Sequence, residues 1–266
     1  MAFQTLRKEA KEIYDQFYDI LEKTDFSIPT FLAFGAALQL LSLAYLPRRL
    51  SASLPLLWLG YRLLRSIVGS RDVFRTSFTD IKLGKYTTNL PGPSDGVVVF
   101  VLGARLNQFV LSLVRNEDPF GKLSPGTTPL DVVFKDMWRE AEKNRKAWGY
   151  IGRTATLADT SDSEGTTTVW ISYWKNVKGL HDFAATAAHR LGQDRYTAGK
   201  YPYVGVMHEL YHAPKGSYET IYGNFRPWGL GATKVIVGEE EGRLTFKDTL
   251  VPNQKGSNMY TRMGKE

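Results

Sequence analysis

The chain of 266 residues contains no cysteine, which excludes disulfide bonds, thiol nucleophiles and cysteine-ligated metal centres. It also lacks the G-x-G-x-x-G turn of dinucleotide sites, the phosphate loop of nucleotide hydrolases and the G-x-S-x-G turn of serine hydrolases. The formal net charge is +7, but no recognisable nucleic-acid-binding module accompanies it. We therefore expect no Rossmann-type nicotinamide or flavin site and no nucleic-acid partner.

Apolar segments of full membrane-spanning length are also missing, although two shorter ones follow each other early in the chain. Residues 31–46 are a run of sixteen residues without charge, just below the roughly 20 residues of a standard span. Residues 54–68 predict a second apolar helix that carries its arginines opposite its leucines, as helices in a membrane interface do. Residues 1–25 have an amphipathic helical period and lack the apolar core of a signal peptide.

These segments predict a helical, membrane-associated region over residues 1–75, with a soluble helical cap as the alternative. Basic residues beside apolar helices favour an anionic membrane surface as the partner. We expect the protein at a membrane, with the endoplasmic reticulum as the expected site and the catalytic domain in the cytosol.

Residues 76–95 are polar, end in Leu-Pro-Gly-Pro-Ser and predict a connector between two domains. An α+β domain is expected over residues 96–250, followed by a polar tail over 251–266. Hydrophobic periodicity within this domain predicts six elements in the order β-α-β-β-α-β. They are expected at residues 97–102, 130–144, 150–158, 166–174, 177–191 and 203–213.

This order of elements is that of the ferredoxin-like fold, in which an antiparallel sheet carries two helices on one face. The other face of such a sheet needs cover, and the pairing of two sheets into a barrel supplies it. The sequence therefore predicts a ferredoxin-like βαββαβ domain, which would form a dimeric α+β barrel as a homodimer, preceded by the helical region.

His208 and His212 belong to the letters HELYH, which match the zinc-protease pattern H-E-x-x-H. A shared zinc ion requires a helix, in which two histidines four residues apart lie on one face. The local sequence favours a strand, because β-branched and aromatic residues precede the motif and Pro214 follows it. On a strand the two histidines are about 13 Å apart, so we expect no metal.

The strand places Val204, Val206, His208 and Leu210 on one face. An imidazole in an apolar row can act as an acid or base near pH 7, and a core histidine satisfied by one hydrogen bond is the alternative. The candidate catalytic residues are His208, Tyr211 and Tyr222. The candidate substrate-binding residues are Trp170, Trp174, Asn224, His181 and His189; for each aromatic residue among them, core packing is the alternative.

A family resemblance rests on motifs spread over the second half of the chain. They are Tyr173-Trp174 at a strand end, Leu180, Phe183 and His189 on the next helix, Val204-Gly205-Val206 before His208-Glu209 and Tyr211, and then Ile221-Tyr222-Gly223-Asn224 and Pro227-Trp228-Gly229-Leu230. With these motifs, residues 96–232 resemble a family of fungal and bacterial proteins grouped with the antibiotic-biosynthesis monooxygenases, which includes the monooxygenase of the fumagillin pathway. The resemblance implies a dimeric α+β barrel, a role in secondary metabolism, and oxygenation without a bound flavin or metal.

The leading hypothesis is a monooxygenase that acts on a lipophilic polyketide or terpenoid intermediate. No cofactor is expected, and haem on a histidine is the possible exception. A cofactor-free isomerase or cyclase in the same pocket is the first alternative. A haem-dependent, dehydratase-like enzyme, a zinc metalloprotease and a membrane-tethered binding protein are the others.

Overall fold

The structure is a computed structural model, and it describes residues 28–69, 81–91, 96–107, 127–159 and 167–265. The amphipathic helix predicted for residues 1–25 lies outside these ranges. The first described elements are two helices, α1 (Ile28–Tyr45) and α2 (Arg48–Gly69), joined at Leu46 and Pro47. In the described part of the chain, no helix combines the length and the apolar character needed to cross a membrane.

The remaining elements follow in an order that contains the predicted β-α-β-β-α-β succession. They are β1 (Lys82–Thr88), β2 (Gly96–Leu106), α3 (Thr127–Lys143), α4 (Arg145–Trp148), β3 (Tyr150–Arg153), β4 (Leu157–Ala158), β5 (Thr167–Trp174), α5 (Val177–Ala184), α6 (Ala187–Thr197), β6 (Val204–Pro214), β7 (Tyr222–Phe225), a 3-10 turn (Gly229–Ala232), β8 (Lys234–Glu240), β9 (Arg243–Asp248), β10 (Leu250–Pro252) and α7 (Met259–Arg262).

The main sheet has the strand order β3-β5-β2-β6, and every neighbouring pair is antiparallel. The short strand β4 continues the pairing of β3 along β5. Counted along the β-α-β-β-α-β unit, the four main strands stand in the order 2-3-1-4, which is the ferredoxin-like order. The predicted α+β, ferredoxin-like topology is therefore confirmed.

The two faces of the main sheet bury separate cores. On the helix-covered face, strand β2 contributes residues that pack with aromatic side chains of α3, α5 and β5. This core contains Val98, Leu102, Ala104, Met137, Trp138, Ala141, Tyr150, Trp170, Trp174, Leu180 and Phe183. On the opposite face, the 3-10 turn and strand β8 cover one end of the sheet. The core there contains Val97, Ile151, Tyr173, Leu230 and Val235.

Two elements differ from the prediction. The single helix expected at 177–191 is divided into α5 and α6, because Thr186 takes an extended conformation and its hydroxyl accepts a hydrogen bond from the backbone N–H of His189. The connector predicted at 76–95 contains strand β1, which pairs with β7 and β10 in a three-stranded sheet. The sequence of β1, KLGKYTT, shows no alternation of apolar and polar residues, so its pattern does not predict a strand. Backbone pairing with the distant strands β7 and β10 holds it in place.

The C-terminal part of the chain contains a further hairpin, and the predicted polar tail at 251–266 contains a short helix. Strands β8 and β9 form an antiparallel hairpin beside the main sheet. In the tail, α7 begins with a capping box in which Asn258 and Thr261 exchange side-chain and backbone hydrogen bonds. The tail is therefore folded at residues that composition alone predicts to be irregular.

Candidate active site

One row of the main sheet places Trp170, Leu102 and His208 side by side across three strands. Leu102 is the register partner of Trp170 on β5 and of His208 on β6. Residues directly opposite in a sheet point to the same face, and this is the face on which the helices pack. Trp170 and Leu102 are buried, whereas His208 lies exposed at the outer strand. Neighbouring strands are about 4.8 Å apart, so this row spans roughly 10 Å.

An aromatic wall stands over the buried end of this row. Phe134 of α3 stacks on Trp170 with ring centroids 5.1 Å apart, and Trp138 approaches the same indole at 6.5 Å. The indole Nε1 of Trp170 donates to Thr156 Oγ1 over 3.0 Å, which fixes the orientation of the ring. At the open end, the ring of Phe100 lies 5.5 Å from that of His208. We use the name aromatic cleft for this set of neighbouring side chains, Phe100, Leu102, Phe134, Trp170 and His208.

His189 of α6 brings a second imidazole towards the aromatic cleft. Its ring meets Phe183 edge-on at 5.9 Å, and its Nδ1 atom is buried without a hydrogen-bond partner among the described residues. Burial lowers the pKa of His189 below its ordinary value, an interaction with the Ala184 backbone partly raises it, and the charge of His208 lowers it further. His208 is therefore close enough to affect the protonation of His189.

The register confirms that Val204, Val206, His208 and Leu210 share one face, but only Val204 is buried. Val206 and Leu210 are exposed, as His208 is. The expectation of a His208 enclosed by apolar neighbours is therefore wrong for this single chain. The physical reason is that β6 is the outer strand of the sheet, while the described buried core lies over the inner strands β2 and β5.

Tyr211 lies on the opposite face of the sheet from His208, because the two are three positions apart on the same strand and successive side chains alternate between faces. Its hydroxyl donates to Glu209 Oε2 over 2.6 Å, and the side chain is exposed. The hydrogen bond to this carboxylate and its negative charge raise the pKa of Tyr211. Within one chain, Tyr211 does not reach the aromatic cleft.

Tyr222 and Asn224 belong to the three-stranded sheet and not to the pocket that the sequence suggested. The hydroxyl of Tyr222 donates to the carbonyl of Trp228 over 3.1 Å and accepts from the backbone N–H of Gly231 over 3.0 Å. Asn224 has a φ of +49° and accepts a hydrogen bond from the backbone N–H of Gly84 over 2.8 Å. Both side chains fasten backbone segments to each other, so the predicted trio of His208, Tyr211 and Tyr222 is not assembled.

Trp174 and His181 also lie away from the cleft opening. Trp174 is fully buried, and its Nε1 donates to the hydroxyl of Ser172 over 3.0 Å, as a core tryptophan does. His181 is exposed on α5. Of the predicted substrate-binding residues, Trp170 lies in the cleft and His189 beside it.

The metalloprotease interpretation of HELYH is contradicted by the geometry. His208 and His212 lie four residues apart on the continuous strand β6, where one zinc ion cannot bridge them. No group of three or more histidine or acidic side chains close enough to hold a metal exists in the described ranges.

Sequence reasoning missed Phe100, Leu102 and Phe134 as cleft residues. Phe100 and Leu102 lie in a continuous apolar run that gives no alternation, so their face is visible only from the register with β5 and β6. Phe134 lies within the helix predicted at 130–144, but its stacking on Trp170 depends on tertiary packing.

Comparison with known proteins gives the class of this protein, an enzyme of the monooxygenase type. The chain belongs to the monooxygenase af470-like family, whose family model matches residues 97–230. A relative named monooxygenase af470, from Aspergillus fumigatus, is 28% identical over 237 residues, covering 85% of this chain and 82% of the relative. The expectations of an enzyme and of this family are confirmed.

Solved structures with a similar arrangement include a variant of SnoaB, a cofactor-independent oxygenase from Streptomyces nogalater. It is 14% identical, covers 44% of this chain and 93% of its own, and has a TM-score of 0.29. A protein described as a putative antibiotic biosynthesis monooxygenase from Caulobacter crescentus is 12% identical and also has a TM-score of 0.29. The match covers 45% of this chain and 91% of that protein. At this similarity neither structure assigns a residue or an activity to this chain.

Proposed function

We propose that the protein oxygenates a lipophilic polyketide or terpenoid intermediate in the aromatic cleft, without a bound cofactor. The observation that carries the proposal is the row Trp170–Leu102–His208, which joins a buried aromatic wall to an accessible imidazole. Apolar walls with few polar groups suit a lipophilic polycyclic or isoprenoid substrate. Membership of a monooxygenase family supplies the reaction type.

The role of His208 in this proposal is that of the general base. An activated CH₂ group of the substrate gives a proton to the imidazole, and the resulting carbanion passes electrons to O₂. The peroxide takes the proton back and loses water, so that CH₂ and O₂ become C=O and H₂O. The substrate supplies all the electrons, and no external reductant is needed. The exposed position of His208 leaves its ring accessible to the substrate.

The supporting roles fall to Trp170 and His189. The buried indole of Trp170, fixed by Thr156 and stacked by Phe134, keeps the aromatic wall behind the substrate rigid. The lowered pKa of His189 keeps its imidazole neutral near pH 7. A neutral His189 adds no positive charge to the region in which the substrate gives up its proton.

The experiment compares product formation from anthrone-type and sesquiterpenoid ketones in air and under nitrogen, with a metal chelator present in both arms. The proposal predicts product only in air, one O₂ consumed per product, and no absorbance in the haem region of the purified protein. Product formed at the same rate under nitrogen contradicts oxygenation. A haem absorbance band that is lost in a His208→Gln or His189→Gln variant contradicts the cofactor-free reaction.

A second candidate function, isomerisation or cyclisation, is favoured by the proximity of two imidazoles. One can donate a proton while the other accepts one, which is the requirement for moving a double bond or closing a ring. The nitrogen arm of the same experiment separates it from oxygenation, since a proton shuttle requires no O₂.

We also propose that the working form is a homodimer. On the sheet face opposite the helices, Met207 and Tyr211 of the outer strand are 46% and 53% exposed. A long outer strand with exposed apolar side chains is a surface that proteins cover. Light scattering after gel filtration is expected to give twice the chain mass, and Met207→Glu is expected to give the monomer.

A further inference from the structure

Helices α1 and α2 form a hairpin whose polar uncharged side chains, apart from Ser53 and Ser66, lie at the contact between the two helices. Ser51 is 1% exposed and Thr30 is 8% exposed. The hydroxyl of Ser42 donates to that of Ser51 over 2.9 Å, and the Ser51 hydroxyl donates to the Ser42 carbonyl over 2.8 Å. Gln39 Nε2 donates to the Ser51 carbonyl over 3.2 Å. The contact between the two helices is therefore a polar one.

The outer surface of the same hairpin is apolar. Its exposed large side chains are Phe31, Leu32, Phe34, Leu38, Leu40, Leu41, Leu43, Tyr45, Leu46, Leu50, Leu54, Leu56, Leu57, Trp58, Leu59, Tyr61, Leu63, Leu64 and Ile67. Leu38 and Leu57 reach 70% and 69% exposure. A hairpin in water buries its leucines and exposes its serines, because apolar surface is costly to hydrate. The observed polarity is reversed, and it is the polarity expected when the surrounding medium is lipid.

The charges of the hairpin have one sign. Residues 28–69 contain Arg48, Arg49, Arg62 and Arg65 and no acidic residue or lysine. All four arginines are exposed, two near the turn and two in the second half of α2. Arginine side chains at the margin of an apolar surface extend their guanidinium groups towards lipid phosphates while the stems stay in the apolar layer. This arrangement complements an anionic headgroup layer.

We propose that the α1–α2 hairpin inserts into one leaflet of an anionic lipid bilayer, as a lipid-embedded anchor that does not cross it. The apolar outer surface lies among the acyl chains, the serine and glutamine contacts hold the helices together where no water is present, and the arginines meet the phosphates. This inference is independent of the reaction in the cleft and goes beyond it, because it specifies the surface on which the protein works.

The test uses the full-length chain and vesicles of phosphatidylcholine, alone or mixed with phosphatidylserine. The protein is expected to float with the vesicles in a density gradient, to float more completely with phosphatidylserine, and to remain bound in alkaline carbonate. Lipids brominated on the acyl chains are expected to quench its tryptophan fluorescence, and Trp58→Phe to remove most of that quenching. A protein that stays at the bottom of the gradient with both vesicle types overturns the proposal, as does one released by carbonate.

Two sets of variants separate insertion from other uses of the surface. Leu57→Glu is expected to lower vesicle affinity by at least about tenfold, because a leucine that would be buried in lipid becomes charged. Val237→Glu is the matched control, since Val237 is also exposed, on the β8–β9 hairpin, and its substitution is expected to leave vesicle binding unchanged.

Arg62→Gln and Arg65→Gln are each expected to weaken only the phosphatidylserine-dependent part of the vesicle affinity, by about fivefold. Equal binding by Leu57→Glu and the parent chain, or self-association of the parent chain that excludes vesicles, contradicts the proposal.

Discussion

His189 and His208 approach each other from different layers of the fold, one from helix α6 and the other from the outer strand β6. A positive charge on His208 lowers the pKa of His189, in addition to the larger effect of burial. The pair brings two proton-transfer groups to an otherwise aromatic region, and the predictions below test what each contributes.

The first prediction concerns the pH dependence of stability through His189. Its pKa is lower in the folded chain than the value of about 6.5 expected in the unfolded chain, so the unfolded chain binds the proton more tightly. The contribution of His189 to the free energy of unfolding is therefore complete above about pH 6.5 and is lost as the pH falls through the folded pKa. Urea unfolding between about pH 7.5 and 5.5 measures it.

The control for this effect is the exposed His181. His189→Gln is expected to flatten the decline of stability on acidification, whereas His181→Gln is expected to leave it unchanged. An NMR titration that gives His189 a pKa at or above its ordinary value would remove the basis of this prediction.

The second prediction separates the two predicted wall tryptophans. Trp174→Phe is expected to lower the free energy of unfolding by about 1–3 kcal/mol, since it leaves a cavity in the core and removes the donor that binds Ser172. Trp170→Phe keeps an aromatic ring against Phe134. It is expected to lower the free energy of unfolding less than Trp174→Phe does, and to raise KM more. Thermal unfolding and steady-state kinetics on both variants provide the comparison. The reverse ranking would place Trp174, and not Trp170, at the substrate.

The third prediction assigns Tyr222 to the fold and not to catalysis. Tyr222→Phe removes one of the two acceptors of the buried Gly231 N–H, together with the hydrogen bond to the Trp228 carbonyl, and is expected to cost about 1–2 kcal/mol of stability. The kcat of the folded fraction is expected to remain unchanged. Tyr211→Phe is the partner variant, since its hydroxyl meets only the exposed Glu209 and its loss is expected to leave stability almost unaffected. A fall in kcat for Tyr222→Phe, with stability intact, would restore its predicted catalytic role.

Sequence periodicity was sufficient to place the main elements. The strand predicted at 203–213 is observed at Val204–Pro214, and the helix predicted at 130–144 is observed at Thr127–Lys143. Both have strong local signals, namely β-branched residues in the first and a helical repeat of apolar residues in the second. The order of these elements then determined the ferredoxin-like topology, because few connections between them are allowed.

The site was less accessible to sequence reasoning, because it depends on partners that are far apart in the chain. Asn224 and Tyr222 follow the His208 strand closely, yet they turn away to pair with β1, a strand without a hydrophobic pattern. The exposure of His208 follows from the position of β6 at the sheet edge, and strand order at an edge has no local signature. Pairing of Leu102 with both Trp170 and His208 required the register itself.

The most direct test of the central claim compares oxygen uptake by His208→Gln and His212→Gln. The two histidines are exposed on the same side of the same strand, but only His208 lies opposite Leu102 and beside Phe100. With an oxidisable substrate from the panel above, His208→Gln is expected to lose activity by about 100-fold or more, whereas His212→Gln keeps the rate of the parent enzyme. Full oxygen uptake by His208→Gln, or an equal loss in both variants, would contradict the assignment of the general base to the aromatic cleft.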